Sequence, residues 1–263
     1  LFAWGIQTLE KTIFITGAAS GIGRETALFF ANRGWFVGIA DLNGPGLGSL
    51  VSEIGEDKCF SCVVDVCDAK NVQEGIDGFA KTCGRGLDVL VNNAGILSFG
   101  LFENIPLARH HKIVDVNFKG VLTCIHCALP YLKNRPGSMV INMSSASALY
   151  GIPDLAVYSA TKHAVSAMTE ALNLEFLRHG IWVCDIQPPY VKTPLIDTAE
   201  PVFSLGRMGV RMEPGDVAAC VWKAVHKRRL HWRIGSTFSF SLLKVFFPFL
   251  TRFIVKYLAL PSD

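Results

Sequence analysis

Seven short apolar runs constrain the architecture of this chain before any single residue is weighed. They are Thr12–Thr16, Phe36–Ala40, Phe60–Val64, Leu87–Val91, Met139–Met143, Trp182–Ile186 and His231–Ile234. Their apolar character is nearly continuous rather than alternating, which marks strands buried on both faces, as in a parallel sheet. Between them lie longer stretches of helical periodicity: Glu25–Asn32, Ala69–Thr82, Ala108–Leu132, a helix that holds Tyr158 and runs to about Arg178, and Asp216–Lys227. Strands alternating with helices predict an α/β protein with helices covering both sheet faces. With 263 residues, half of them hydrophobic and 18% charged, the chain can fill one large core.

The first strand runs into Thr16-Gly17-Ala18-Ala19-Ser20-Gly21-Ile22-Gly23 and then a helix. Glycines let backbone approach a pyrophosphate closely, and the helix start offers unpaired N–H groups and a positive dipole end. A plain strand–helix turn is the bland alternative. The second strand ends at Asp41, near the spacing at which an acidic residue accepts from the ribose hydroxyls of a dinucleotide. Its charge would repel a 2′-phosphate, and neither Ser20, Leu42 nor Asn43 supplies a cation, so NAD is expected over NADP. The alternative for Asp41 is a cap on the helix that follows. These features predict a Rossmann-like, doubly wound parallel sheet of about seven strands. Asp65, Asn92 and Ser145 also follow strands, at the sheet edge where such folds bind ligands.

Tyr158 and Lys162 are four residues apart, so on a helix they share a face. Ser144 and Ser145 follow the fifth strand, so serine, phenol and ammonium can converge at the sheet rim. Tyr158 alone would be an ordinary core or surface tyrosine. Taken together, Thr16-Gly-xxx-Gly-Ile-Gly23, Asp65-Val66, Asn92-Asn-Ala-Gly95, Asn117, Ser145 and Tyr158-xxx-Lys162 resemble the short-chain dehydrogenase/reductase family over residues 10–235. Ser145 stands thirteen residues before Tyr158, a usual spacing in that family, and the resemblance thereby favours it over Ser144. The resemblance implies NAD as cofactor and Asn117, Ser145, Tyr158 and Lys162 as the catalytic tetrad. Tyr158 would be the acid/base, Lys162 would lower its pKa and bind the nicotinamide ribose, and Asn117 would hold a water. Gly17, Ser20, Gly21, Ile22 and Gly23 would line the pyrophosphate, with Leu42 beside Asp41. Asp65 and Val66 would flank adenine, and Asn92, Ala94 and Gly95 would border the nicotinamide ribose. Pro188, Val191 and Thr193 would hold the carboxamide. One departure stands out: the family usually has Pro-Gly after the sixth strand, where this chain has Pro188-Pro189-Tyr190. Pro189 fixes φ and stiffens the loop, projecting Tyr190 toward the substrate.

The remaining features narrow the setting. A net charge of +3 without a basic–aromatic stripe argues against nucleic acid. Cys59/Cys62 and Cys124/Cys127 have CxxC spacing, but on a strand and in an apolar helix, so reduced thiols rather than a metal site are expected. A reducing, cytoplasmic setting follows. The opening Leu1–Ile6 lacks a basic flank and is not read as a signal peptide. His163 points away from Lys162 and is read as a packing residue. Residues 1–235 form the expected catalytic domain and 236–263 a hydrophobic, basic helical tail. Lys244, Arg252 and Lys256 share one sector of that tail, and Pro248 interrupts it. The tail reads as a lid, as an oligomer contact or as a peripheral membrane helix. Leu97, Phe99, Leu101, Phe102, Leu149, Tyr190, Leu195 and Phe203 follow the relevant strands, which predicts a lipophilic secondary alcohol or ketone. A homodimer or homotetramer is implied by the resemblance. The alternative is a membrane-associated or regulatory nucleotide-binding protein on the same fold.

Overall fold

Ile13 and Ile15 point to one side of the first strand and Phe14 to the other, and all three are buried. The same alternation repeats across the sheet: Val89 and Val91 oppose Leu90, and Met139 and Ile141 oppose Val140. The inner strands therefore feed two cores, which is why their sequences read as nearly continuously apolar. The computed structural model describes residues 11–84, 86–197 and 203–259. Its strands are β1 Thr12–Thr16, β2 Phe36–Asp41, β3 Cys59–Val63, β4 Val89–Asn92, β5 Met139–Met143, β6 Trp182–Gln187 and β7 His231–Arg233. They form one sheet in the order β3-β2-β1-β4-β5-β6-β7, every neighbouring pair parallel.

The helices are α1 Gly21–Ala31, α2 Gly44–Ile54, α3 Ala69–Cys83, α4 Leu107–Val114, α5 Gly120–Lys133, α6 Ala156–Glu175, α7 Pro194–Asp197, α8 Phe203–Met208, α9 Pro214–His226, α10 Ser236–Phe246 and α11 Pro248–Ala259. Residues of α1, α2 and α9 fill one core and residues of α3, α5 and α6 the other. In the first, Phe30 meets Trp35 and Trp222 edge-on at 5.0 and 5.2 Å between ring centroids. The sheet is thus doubly wound, with its order reversing between β1 and β4.

Local chemistry explains the element ends. Asp68 caps α3, accepting from the N–H groups of Lys70 and Asn71, and Gly84 ends it at φ +63°. Asn43 caps α2 through Gly46 N–H, so Asp41 is not that helix's cap. The α2 sequence holds three glycines and a proline, low helix propensity that hides its bounds in the sequence. It forms because Leu47, Leu50 and Ile54 pack into the core. The region Ala108–Leu132 is broken by a π-turn over Asp115–Lys119, which carries Asn117. The whole run Leu107–Lys133 is long and apolar enough to cross a membrane by composition, yet half of that window is buried inside the structure, as for a core helix. The loop expected over 187–211 contains the short helices α7 and α8. Pro248 interrupts the tail as expected, opening α11. The segments Leu1–Ile6 and Leu260–Asp263 lie outside the described residues, as does the side chain of Phe203.

Candidate active site

The β1–β4 switch point opens into a cleft of about 580 Å³. Its base is a glycine turn held by Asn93, whose amide nitrogen donates to the carbonyls of Thr16 (3.0 Å) and Gly17 (2.9 Å). Gly17 sits at φ +67°, and a Cβ there would lie 2.7 Å from Ala94 Cα. A Cβ on Gly23 would lie 2.1 Å from the Gly17 carbonyl oxygen. Two glycines are therefore required for β1, α1 and the β4 end to meet. Gly17, Ser20, Gly21 and Ile22 line the cleft, whereas Gly23 packs behind it. The Ser20 hydroxyl caps no N–H of α1.

Asp41 lies at the cleft edge with exposed Leu42 beside it. One carboxylate oxygen accepts from Ala19 N–H at 3.0 Å and the other from Asn43 N–H at 2.9 Å. The carboxylate thus ties the glycine turn to β2 and still lines the cleft. Asp65 and Val66 line the same end, with Lys112 Nζ 3.8 Å from the Asp65 carboxylate. Lys112 and Arg109, one helical turn apart on α4, are cleft residues that no motif in the sequence announces. The Arg109 guanidinium donates to Ser98 Oγ and the Leu97 carbonyl, bracing the loop after β4.

At the other end, β5 and α6 bring the expected side chains together. Lys162 is buried and its Nζ donates to the Met143 carbonyl at 2.8 Å. Ser144 is also buried, and its hydroxyl donates to the Lys162 carbonyl at 3.1 Å. Both serines line the cleft, but the Ser144 hydroxyl is engaged as a strap, and Ser145 is the one hydrogen-bonded to Tyr158. Lys162 Nζ lies 5.6 Å from the Tyr158 ring centroid. Burial pushes the Tyr158 phenol up to about 12; its hydrogen bond with Ser145 opposes this, and nearby Tyr190 adds to it. Burial also pushes the Lys162 ammonium down to about 8.

Two expected residues sit elsewhere. The Asn92 amide donates to Asn142 inside the sheet at 2.8 Å, and its neighbour Asn93 reaches the glycine turn instead. A strand end alternates faces, so only one of two consecutive asparagines can point each way. Asn117 is fully buried on the π-turn and clasps the Ile96 backbone, N–H and carbonyl each at 2.8 Å. Its carboxamide braces the β4 loop rather than facing the cleft. Ala94 and Gly95 do line the cleft, and a Cβ on Gly95 would lie 3.7 Å from Lys162 Nζ.

Pro188, Val191 and Thr193 line the wall opposite, with Tyr190 between them. The Tyr190 ring meets Phe99 at 6.4 Å between centroids. Leu97 and Leu195 also line this wall, joined by Ile152 and Leu155, which the sequence did not single out. Three other apolar candidates do not: Leu149 is buried at 6% exposure, while Leu101 and Phe102 are exposed and Phe102 stacks on His110 at 4.7 Å. His163 is partly buried, its Nδ1 bonded to the Ser159 carbonyl. Among the described residues no group of three His, Cys, Asp or Glu could hold a metal, and all eight cysteines are free thiols.

Comparison with known proteins gives this arrangement its class. Residues 11–201 match the family model for short chain dehydrogenase. The chain belongs to the short-chain dehydrogenase family and is an oxidoreductase. It is 32% identical to cyclohexanol dehydrogenase of Acinetobacter sp., over 81% of this chain and 86% of that protein. It is 33% identical to the 3-oxoacyl-[acyl-carrier-protein] reductase of Thermotoga maritima, over 80% of this chain and 88% of that protein. The 3-ketoacyl-(acyl-carrier-protein) reductase of Brucella melitensis complexed with NADH superposes with a TM-score of 0.77 at 31% identity, covering 83% of this chain and 92% of that one.

Proposed function

We propose that this protein is an NAD-preferring dehydrogenase interconverting a lipophilic secondary alcohol and its ketone. The observation that carries this is the convergence of Ser145, Tyr158 and Lys162 beside a glycine turn that leaves backbone N–H groups facing a dinucleotide-sized cleft. The residues fit a dinucleotide: a Cβ at Gly17 would collide with Ala94, so the turn presents bare backbone, and Asp41 has lone pairs left for ribose hydroxyls. A bound nicotinamide supplies the hydride acceptor or donor. Tyr158 takes the alcohol proton, or returns it in the ketone direction. A buried phenol is a weak base, so the charge of Lys162 is needed to favour phenolate. Ser145 orients the substrate oxygen and stabilises charge developing on it. Asn117 acts through Ile96, fixing the loop that places Ala94 and Gly95. Pro188, Val191 and Thr193 are assigned to the carboxamide, and Asp65 and Val66 to adenine.

The apolar wall of Leu97, Tyr190, Leu195, Ile152 and Leu155 supports a lipophilic substrate, with Tyr190 held over it by a stiff loop. The proposed setting is cytoplasmic, as a homodimer or homotetramer, with peripheral membrane contact through residues 236–263. A regulatory nucleotide-binding role on the same fold is the weaker reading, because it leaves an intact catalytic set without purpose.

A panel of cyclic, terpenoid, steroid and long-chain secondary alcohols, read by NADH absorbance, tests this directly. Turnover of lipophilic alcohols with NAD is expected. A preference for small sugars or polyols would overturn the substrate class, and equal use of NADP would overturn the role of Asp41.

A further inference from the structure

The hairpin of α10 and α11 carries its aromatic side outward. Its buried positions include Thr237, Ser241 and Thr251, and the Thr237 and Thr251 hydroxyls find no hydrogen-bond partner among the described residues. On α11, Phe249, Phe253 and Tyr257 recur every four residues at 75, 70 and 62% exposure. Such spacing keeps them on one face. Phe246 and Phe247, at 68 and 50% exposure, extend the patch around the turn. At ~200 Å² per ring-bearing side chain, these five expose roughly 600 Å² or more of apolar surface. That equals or exceeds the largest patch of a typical monomer, about 300–600 Å².

Charge decides what covers it. Arg252 and Lys256 precede Phe253 and Tyr257 by one residue, so they run alongside the aromatic ridge about 100° around the helix. Both are exposed, and neither enters an ion pair among the described residues. Between Asp216 and Asp263 the sequence holds eight Lys or Arg and no carboxylate side chain. A second copy of the hairpin would bring cations to cations with nothing of opposite sign. Anionic phospholipid supplies both an apolar boundary and phosphates.

We infer that the outward face of α10–α11 docks on a bilayer bearing anionic phospholipid, its rings in the acyl boundary and Arg252 and Lys256 at the headgroups. The hairpin is joined to the catalytic edge. Lys244 donates to the Leu149 carbonyl, between Ser145 and Tyr158, and α11 packs on α8, which follows the Thr193 loop. Docking therefore holds the substrate end of the cleft near the lipid. That link to substrate supply rests on the lipophilic-alcohol reading; the docking itself does not.

Flotation of the full chain with phosphatidylcholine vesicles, with and without about 30% phosphatidylglycerol, tests the inference. The unmodified protein should float with the anionic vesicles and far less with the neutral ones. Phe249→Ser/Phe253→Ser and, separately, Arg252→Glu/Lys256→Glu should each lower the bound fraction about tenfold or more. Both variants should keep turnover of a water-soluble alcohol, since neither touches the cleft. Absence of flotation by the unmodified protein overturns the inference. So does sedimentation showing an oligomer that the Phe variant dissociates, because the patch is then covered by a second copy. Flotation of a protein that turns over no lipophilic alcohol upholds docking and defeats the substrate reading instead.

Discussion

The two ends of the cleft are built on opposite rules. At the cofactor end, backbone meets backbone: a side chain added at Gly17 or Gly23 would penetrate Ala94 or the turn itself, and Asn93, Thr16 and Asp41 all hold main-chain atoms. At the substrate end, side chains from the loops after β4, β5 and β6 meet one another, as Phe99 does Tyr190. The first end tolerates almost no variation, and the second can be re-cut without disturbing the sheet. Invariant chemistry and adjustable selectivity are therefore separated in space.

Substitutions should grade along that divide. Tyr158→Phe should lower turnover about 1,000-fold, by removing the proton acceptor, while cofactor affinity by fluorescence titration stays unchanged. Lys162→Met should cost about 100-fold and move the rising limb of the alcohol-oxidation pH profile upward by at least about one pH unit, since the charge favouring phenolate is gone. The same change should stabilise the cofactor-free protein. Burial pushes the Lys162 ammonium from its ordinary 10.5 down to about 8, so holding it charged at neutral pH costs the folded protein stability. The lost hydrogen bond to Met143 offsets part of that. With a folded pKa below the unfolded one, the wild-type protein recovers stability as pH rises from about 8 toward 10.5. The advantage of the Met variant, measured by denaturant melts, should shrink over that interval.

Smaller effects test the ends separately. Asp41→Ala should weaken NAD binding about 10- to 100-fold and, by removing the charge that repels a 2′-phosphate, tighten NADP binding, narrowing the preference between them. Tyr190→Ala should raise KM for bulky alcohols about tenfold with little change in kcat. A kcat loss at Tyr190 as large as that at Tyr158 would erase the proposed division between the two ends.

The same division explains what was legible in the sequence. The strands could be located because burial on both faces of the inner ones leaves few polar positions, and Tyr158 with Lys162 because helical spacing fixes their relation. Ser145 could be preferred over Ser144 through the resemblance, which places a serine thirteen residues before the tyrosine, and the strap from Ser144 to Lys162 accounts for the other serine. The misplacements fall where direction, not identity, matters. Asn92 and Asn93 differ only in which face of β4 they leave from, and Asn117 is turned by a π-turn that no propensity announces. Helix α2 was obscured by glycine and proline, and the apolar wall by loop paths: Leu149 and Phe102 have the right chemistry but point elsewhere.

The two bonds that pin Lys162, one from Ser144 to its carbonyl and one from its ammonium to Met143, have a practical consequence. Both run to adjacent residues of one strand end, so the spacing of phenol, ammonium and serine is set by how α6 registers on β5. Neither bond involves a residue after 188. A chimaera that exchanges the segment from Leu195 to Met212 for a relative's counterpart would leave both bonds intact, and would keep Pro188, whose carbonyl accepts from Ala146 N–H, and Tyr190, beside Tyr158. Proton-transfer competence should travel with the scaffold and selectivity with the insert, which makes this chain a suitable chassis for swapping one without retuning the other.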